Sequence, residues 1–142
     1  MYTGLLHSHF YLRWIVLALL IIVIVSSLVG WMNKKDYSST DNKLSLYLFI
    51  ATHLQLLLGL ILYTQSPWVQ FGNLKVKEVR YWTVEHLTIM LVAIVLITMA
   101  RITAKKMSSD EAKHRRMFIF NLIALIIILA GIEMSGRGFI YS

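Results

Sequence analysis

The sequence predicts an all-α integral membrane protein, a single domain over residues 1–142 folded as an antiparallel four-helix bundle that runs up, down, up and down. Three observations carry this. Of the residues, 58% are hydrophobic and only 15% charged, against roughly 25% charged in a typical soluble domain. A globule of this size cannot bury so much apolar surface, which points to lipid as its solvent. The apolar residues fall into four runs of roughly twenty, the length a helix needs to cross about 30 Å of hydrocarbon. The charges gather in the gaps between those runs.

The first run is unbroken over residues 14–32 and sets helix one at about 10–32. Residues 1–10 hold no Lys or Arg and no A-x-A-like site follows, so the run is expected to stay in the mature chain. Residues 33–43 are polar, offer Ser39, Thr40 and Asp41 as N-caps, and lead into helix two at about 44–65. Pro67 stops that helix, since its ring lacks a backbone donor and restricts the residue before it. Residues 66–80 are too polar for hydrocarbon, and their second half begins helix three, expected at about 76–101. Tyr81 and Trp82 are expected in the aromatic belt of the interface. Ser109 caps helix four at about 110–133, with Asp110 and Glu111 at the positive end of its dipole. Residues 135–142 form a short tail. No internal repeat, low-complexity region or long linker divides the chain.

The net charge of +7 does not mark a nucleic-acid binder, because the basic residues lie between apolar segments and not along one helix face. They mark orientation instead. Lys34, Lys35, Lys43, Arg101, Lys105, Lys106, Lys113, Arg115 and Arg116 lie at one end of the predicted helices, and Arg13, Lys75, Lys77, Arg80 and Arg137 at the other. The positive-inside rule therefore places both termini outside the cytoplasm. Cysteine is absent, which excludes disulfides, thiolate metal sites and a C-x-x-C-H attachment for a c-type haem. There is no Gly-rich phosphate loop, H-E-x-x-H, G-x-S-x-G or acidic cluster for magnesium or calcium, so hydrolase and kinase chemistry is excluded as well.

An ionisable side chain inside a bilayer costs a few kcal/mol, so each one is a functional candidate. His53 lies near the middle of helix two and His86 within helix three. His9 and His7 sit at the mouth of helix one, His7 outside the bilayer, and His114 opens helix four beside Lys113, Arg115 and Arg116. Two neutral imidazoles from facing helices at similar depth can clamp a haem in a bundle core. Interhelical hydrogen bonding and a proton relay or metal-ion site are the alternatives. For His114 the alternative is a solvated basic cluster.

Depth limits the pairings. If helix three begins near Asn73, His86 is level with His53, each about twelve residues from the same end. If helix three enters the bilayer at Tyr81, His86 moves outward to the depth of His9, which leaves His53 to pair with His114 across a mismatch of roughly 10 Å. Arg13 and Glu85 both sit about one turn inside the boundary and are expected to pair, although Arg13 is also a candidate for a haem propionate. Gln55 is expected to bond to a neighbouring helix, Gly30 and Gly59 to permit close helix approach, and the Met residues to pack.

The segments H-S-H-F-Y-L-R-W (residues 7–14), H-L-Q-L-L-L-G-L-I-L-Y (53–63), V-E-H-L (84–87) and K-H-R-R (113–116) resemble those of the small four-helix bacterial membrane proteins of the cytochrome b type. The resemblance covers nearly the whole chain. It implies one or two b-type haems with histidine ligands at His9, His53 and His86 and a further candidate at His114. It also implies a bacterial inner-membrane location and electron transfer to or from a quinone. A weaker likeness, through Glu85-His86 and H-L-Q-L-L-L-G on helix two, is to the four-helix halves of haem A synthase. Here His86 is followed by Leu87 where that pattern has Arg, which argues against synthase activity.

The expected function is thus an electron-carrying membrane cytochrome, not a classical enzyme, working with lipid, a quinone or respiratory subunits and not with nucleic acid. The rival from another class is a non-redox accessory subunit of a membrane complex. A proton pathway through His53, Glu85 and His86 ranks last, because helix four has no ionisable residue between Arg116 and Glu133. The topology is testable at once. Reporter fusions at Ser142 should read as periplasmic and at Ser108 as cytoplasmic, and a cytoplasmic signal at Ser142 would overturn the orientation.

Overall fold

A computed structural model describes residues 2–67 and 69–134; the tail at residues 135–142, with Arg137, lies outside the described residues. Four helices make up the fold: α1 (Tyr2–Met32), α2 (Ser39–Gln65), α3 (Lys77–Lys105) and α4 (Asp110–Met134). Each is long and apolar enough to cross a membrane. A single 3-10 turn, Phe71–Asn73, interrupts the loop before α3, and no strand occurs among the described residues. The all-α four-helix bundle expected from the sequence is the fold observed.

The helix starts differ from the expected ones for a physical reason. Apolar runs mark only the part of a helix that meets hydrocarbon, whereas the backbone stays helical wherever its end groups are satisfied. α1 begins about two turns before Phe10, and within those turns the Ser8 hydroxyl donates back to the Gly4 carbonyl at 2.9 Å. α2 begins at Ser39 because Ser38, not Ser39, Thr40 or Asp41, is its N-cap. Ser38 Oγ accepts the Asp41 N–H at 3.2 Å while the Asp41 carboxylate accepts the Ser38 N–H at 2.9 Å, a reciprocal capping box. At α4 the expected cap is observed, with Ser109 Oγ accepting the Ala112 N–H at 3.1 Å. Ser66, extended at ψ 131° ahead of Pro67, ends α2 as expected.

The helices run antiparallel. α1 packs between α2 and α4, α3 packs on α4, and the seam between α2 and α3 is the loosest. The centre is filled by Leu20, Leu48 and Ile132, with Ala93, Ala100 and Ala124 fully buried where backbones approach. At Gly131 the approach is so close that a Cβ would lie 2.9 Å from Ile89 Cγ2 on α3. Outward-facing Ile15, Val25, Leu57, Val95 and Ile126 are each more than half exposed. An apolar outer surface of this kind belongs in lipid, not in water.

The basic end of the bundle is locked by polar contacts. α1 stops in a Schellman motif: Lys34 takes a left-handed φ of 52°, and the Lys35 N–H bonds back to the Gly30 carbonyl at 2.9 Å. That turn presents the carbonyls of Lys35 and Asp36 to His114, whose Nε2–H donates to them at 3.1 and 3.3 Å. His114 is not a solvated member of the basic cluster: it is 1% exposed and its ring sits on Tyr37 at 5.2 Å. Ser26 on α1 donates to Asp41 on α2 at 3.0 Å, and Arg101 on α3 reaches Ser45 on α2 at 3.0 Å.

Gly30 is what admits the His114 ring, since a Cβ there would lie 2.5 Å from its Cε1. Gly30→Ala is expected to destabilise the bundle by about 1–3 kcal/mol, seen as a lower thermal midpoint in detergent. His114→Ala in the same chain should relieve part of that loss, and an unchanged midpoint in Gly30→Ala would show that the contact is not tight.

Candidate functional site

At the other end the bundle opens into a cavity of about 500 Å³ lined by all four helices. This lies within the roughly 300–1,000 Å³ usual for small-molecule sites. Its wall is largely apolar, built from residues such as Leu17, Leu56, Ile94 and Ile128, with a few polar groups at one side: His9, Arg13, Gln55, Tyr63, Tyr81 and His86. The loose seam between α2 and α3 leaves the room for it.

α1 supplies His9 and Arg13, one helical turn apart on the same face. Arg13 is 8% exposed, and its guanidinium lies over Phe10 at 5.0 Å and Trp14 at 4.8 Å, contacts that favour a cation out of water. α2 supplies Gln55, which bonds to a neighbouring helix as expected, its Nε2 donating to the His9 carbonyl at 2.9 Å. That carbonyl only accepts, so the amide orientation is fixed and Oε1 is left as a buried acceptor without a partner among the described residues. Gly59, one turn further along α2, keeps space clear beside His9, since a Cβ there would lie 3.3 Å from Nε2.

α3 supplies His86 through an irregular turn. Residues Tyr81–Glu85 are π-helical, and the His86 N–H bonds to the Tyr81 carbonyl five residues back. Side chains five apart diverge by about 140° on an α-helix but by about 50° across a π turn. The turn therefore swings Tyr81 over His86, with ring centres 5.6 Å apart and the Tyr81 hydroxyl 3.3 Å from Nδ1. Side chains hold the turn in place: Tyr81 donates to the Gly131 carbonyl of α4 at 2.6 Å, Tyr63 of α2 donates to the Thr83 carbonyl at 2.6 Å, and Thr83 Oγ1 accepts the Gln70 N–H at 2.9 Å. Tyr81 is 2% exposed, so it is a core residue and not part of the interfacial aromatic belt.

The histidines separate into His7, His9 and His86, which line the cavity, and His53 and His114, which do not. His9 and His86 face each other with ring centres 6.5 Å apart and planes at 63°. His53 does not line the cavity; its Nδ1–H donates to the Phe49 carbonyl at 2.8 Å and its ring lies on Phe49 at 4.2 Å. His114 belongs to the opposite end of the bundle. His86 thus lies beside His9, the neighbour that the outer arrangement would give it, and His53 lies outside their cavity. Of the expected partners Arg13 and Glu85, Glu85 takes Arg80 from its own helix at 2.9 Å and Arg13 lines the cavity. Sequence reasoning missed Tyr81 and Gly59 as site residues. The signal for Tyr81 is its five-residue spacing from His86, which becomes meaningful only once a π turn is known.

Among the described residues no three His, Cys, Asp or Glu side chains gather as a cluster of metal ligands. Two facing imidazoles suit a centre whose remaining ligands come from a macrocycle. These features define a class, a four-helix membrane bundle with an apolar cavity and a facing pair of histidines at one end. Compared with known protein families, curated proteins and solved structures, the chain matches none.

The bonds that hold the π turn make a measurable contribution. Tyr63→Phe removes one of them and is expected to cost about 1 kcal/mol, read as a small fall in thermal midpoint. A loss of several kcal/mol would mean that Tyr63 supports far more than this turn.

Proposed function

We propose that this chain is a membrane cytochrome that binds one b-type haem in the cavity, with His9 and His86 as the axial ligands. The observation that carries the reading is the 6.5 Å between the two ring centres across an apolar cavity. Two imidazoles on opposite sides of one metal, with metal–nitrogen bonds of about 2 Å, have ring centres about 6 Å apart. Three further features suit a haem. Gly59 leaves the space beside His9 that a Cβ would fill, the wall is mainly aliphatic, and Arg13 supplies a cation for a propionate.

The haem iron would supply one-electron redox chemistry. The chain's own residues orient the imidazoles, exclude water and compensate the propionate charge. His53 and His114 are not ligands on this reading, because neither lines the cavity. The charge asymmetry of the loops favours a cavity end facing away from the cytoplasm, and the resemblance to small bacterial cytochromes b favours the bacterial inner membrane, with that end towards the periplasm. An apolar quinone reaching the seam between α2 and α3 from the bilayer, or a subunit of a respiratory complex, is the partner that such a site suits.

The absorbance spectrum of the purified protein tests this directly. A reducible Soret and alpha band of low-spin haem is expected, at about one haem per chain. His9→Ala and His86→Ala should each abolish the low-spin signal, whereas His53→Ala and His114→Ala should retain it in whatever protein folds. A colourless parent protein would sink the reading and favour a non-redox accessory subunit; loss of haem in His53→Ala with His9→Ala unaffected would move the site elsewhere.

A further inference from the structure

We propose that Tyr81 is a positioning residue for His86, fixing which imidazole nitrogen carries the proton and thereby how strongly the other donates to a bound metal centre. The inference rests on the reading of the cavity as a haem site, but its geometry is independent of it. The Tyr81 hydroxyl has one proton. At 2.6 Å from the Gly131 carbonyl, a group that only accepts, that proton is committed to α4. The contact of 3.3 Å to His86 Nδ1 then has only one sense: Nδ1–H donates and the phenol oxygen accepts. His86 is held as the Nδ1–H tautomer, and the lone pair resides on Nε2.

The chain His86 to Tyr81 to Gly131 crosses from α3 to α4 and exists only because the π turn brings residues five apart onto one side. An imidazole whose far N–H is accepted by a polarised oxygen is a more basic ligand. A Tyr oxygen whose own proton is drawn towards a carbonyl is the better acceptor for it. Such a ligand favours the oxidised, more positive metal centre. Removing the acceptor should therefore raise the reduction potential without removing a ligand.

The test compares the parent, Tyr81→Phe and Tyr37→Phe by spectroelectrochemical titration in detergent. Tyr37 lies at the opposite end of the bundle against His114 and serves as the control. The expected result is low-spin haem in all three, with an upward shift of potential in Tyr81→Phe alone. A Tyr81→Phe potential equal to that of the parent, or an equal shift in the control, would overturn the proposal. Should every preparation be colourless, the haem reading fails by itself, and nitrogen-15 NMR of labelled histidine decides the positioning role. The parent should show His86 protonated at Nδ1 and Tyr81→Phe a mixture of tautomers; a parent protonated at Nε2 refutes it. If Tyr81→Phe does not fold, the same spectrum of the reduced parent serves, and a His86 Nδ1 proton in rapid exchange with water refutes the assignment.

Discussion

In a hydrocarbon solvent every polar group must find its partner inside the protein, and the architecture of this bundle follows from that requirement. The Schellman turn at Lys34, the capping box at Ser38 and the cap at Ser109 satisfy helix ends at the basic side. The same requirement governs the π turn. An irregular helical turn within a membrane-spanning segment persists when neighbouring side chains bond to it, and here Tyr63 and Gln70 meet Thr83 while Tyr81 meets Gly131.

The two ends of the bundle answer that requirement in opposite ways. At the basic end, polar groups are spent on one another: His114 on the carbonyls of Lys35 and Asp36, Ser26 on Asp41, Arg101 on Ser45. Among the described residues that end is packed, with His114 Nδ1 a buried atom left without a partner there. At the cavity end, by contrast, His9, Arg13 and His86 line open space, and Gln55 keeps a buried acceptor aside. A bundle that is rigid at one end and hollow at the other can hold a bulky group without losing its fold, because the packed half carries the stability.

Glycine and alanine shape this division. Gly30 and Gly59 were both expected to let helices approach, yet each makes room for an imidazole, His114 at one end and His9 at the other. Gly131 is the one that brings two helices together, α4 against Ile89 of α3. That contact places the Gly131 carbonyl within reach of Tyr81, so a packing detail of α4 reaches the surroundings of His86 on α3.

The four spans, their antiparallel order and the candidate histidines were legible in the sequence, because hydrophobic length and buried ionisable residues are properties of single segments. The cap at Ser109 and the stop at Pro67 were legible for the same reason, being set by neighbours in the chain. What the sequence left open was depth and facing: His86 was compatible with His53 or with His9, and the expectation that Glu85 pairs with Arg13 did not weigh Arg80 on its own helix. Tertiary structure decided these through the π turn, which has no signature in hydropathy and rotates His86 relative to every residue before Tyr81. A helix's register against its neighbours depends on packing and side-chain bonds between distant segments, here Tyr63 with Thr83 and Tyr81 with Gly131. No local pattern encodes those bonds, and so the placing of His86 beside His9 belonged to the fold alone.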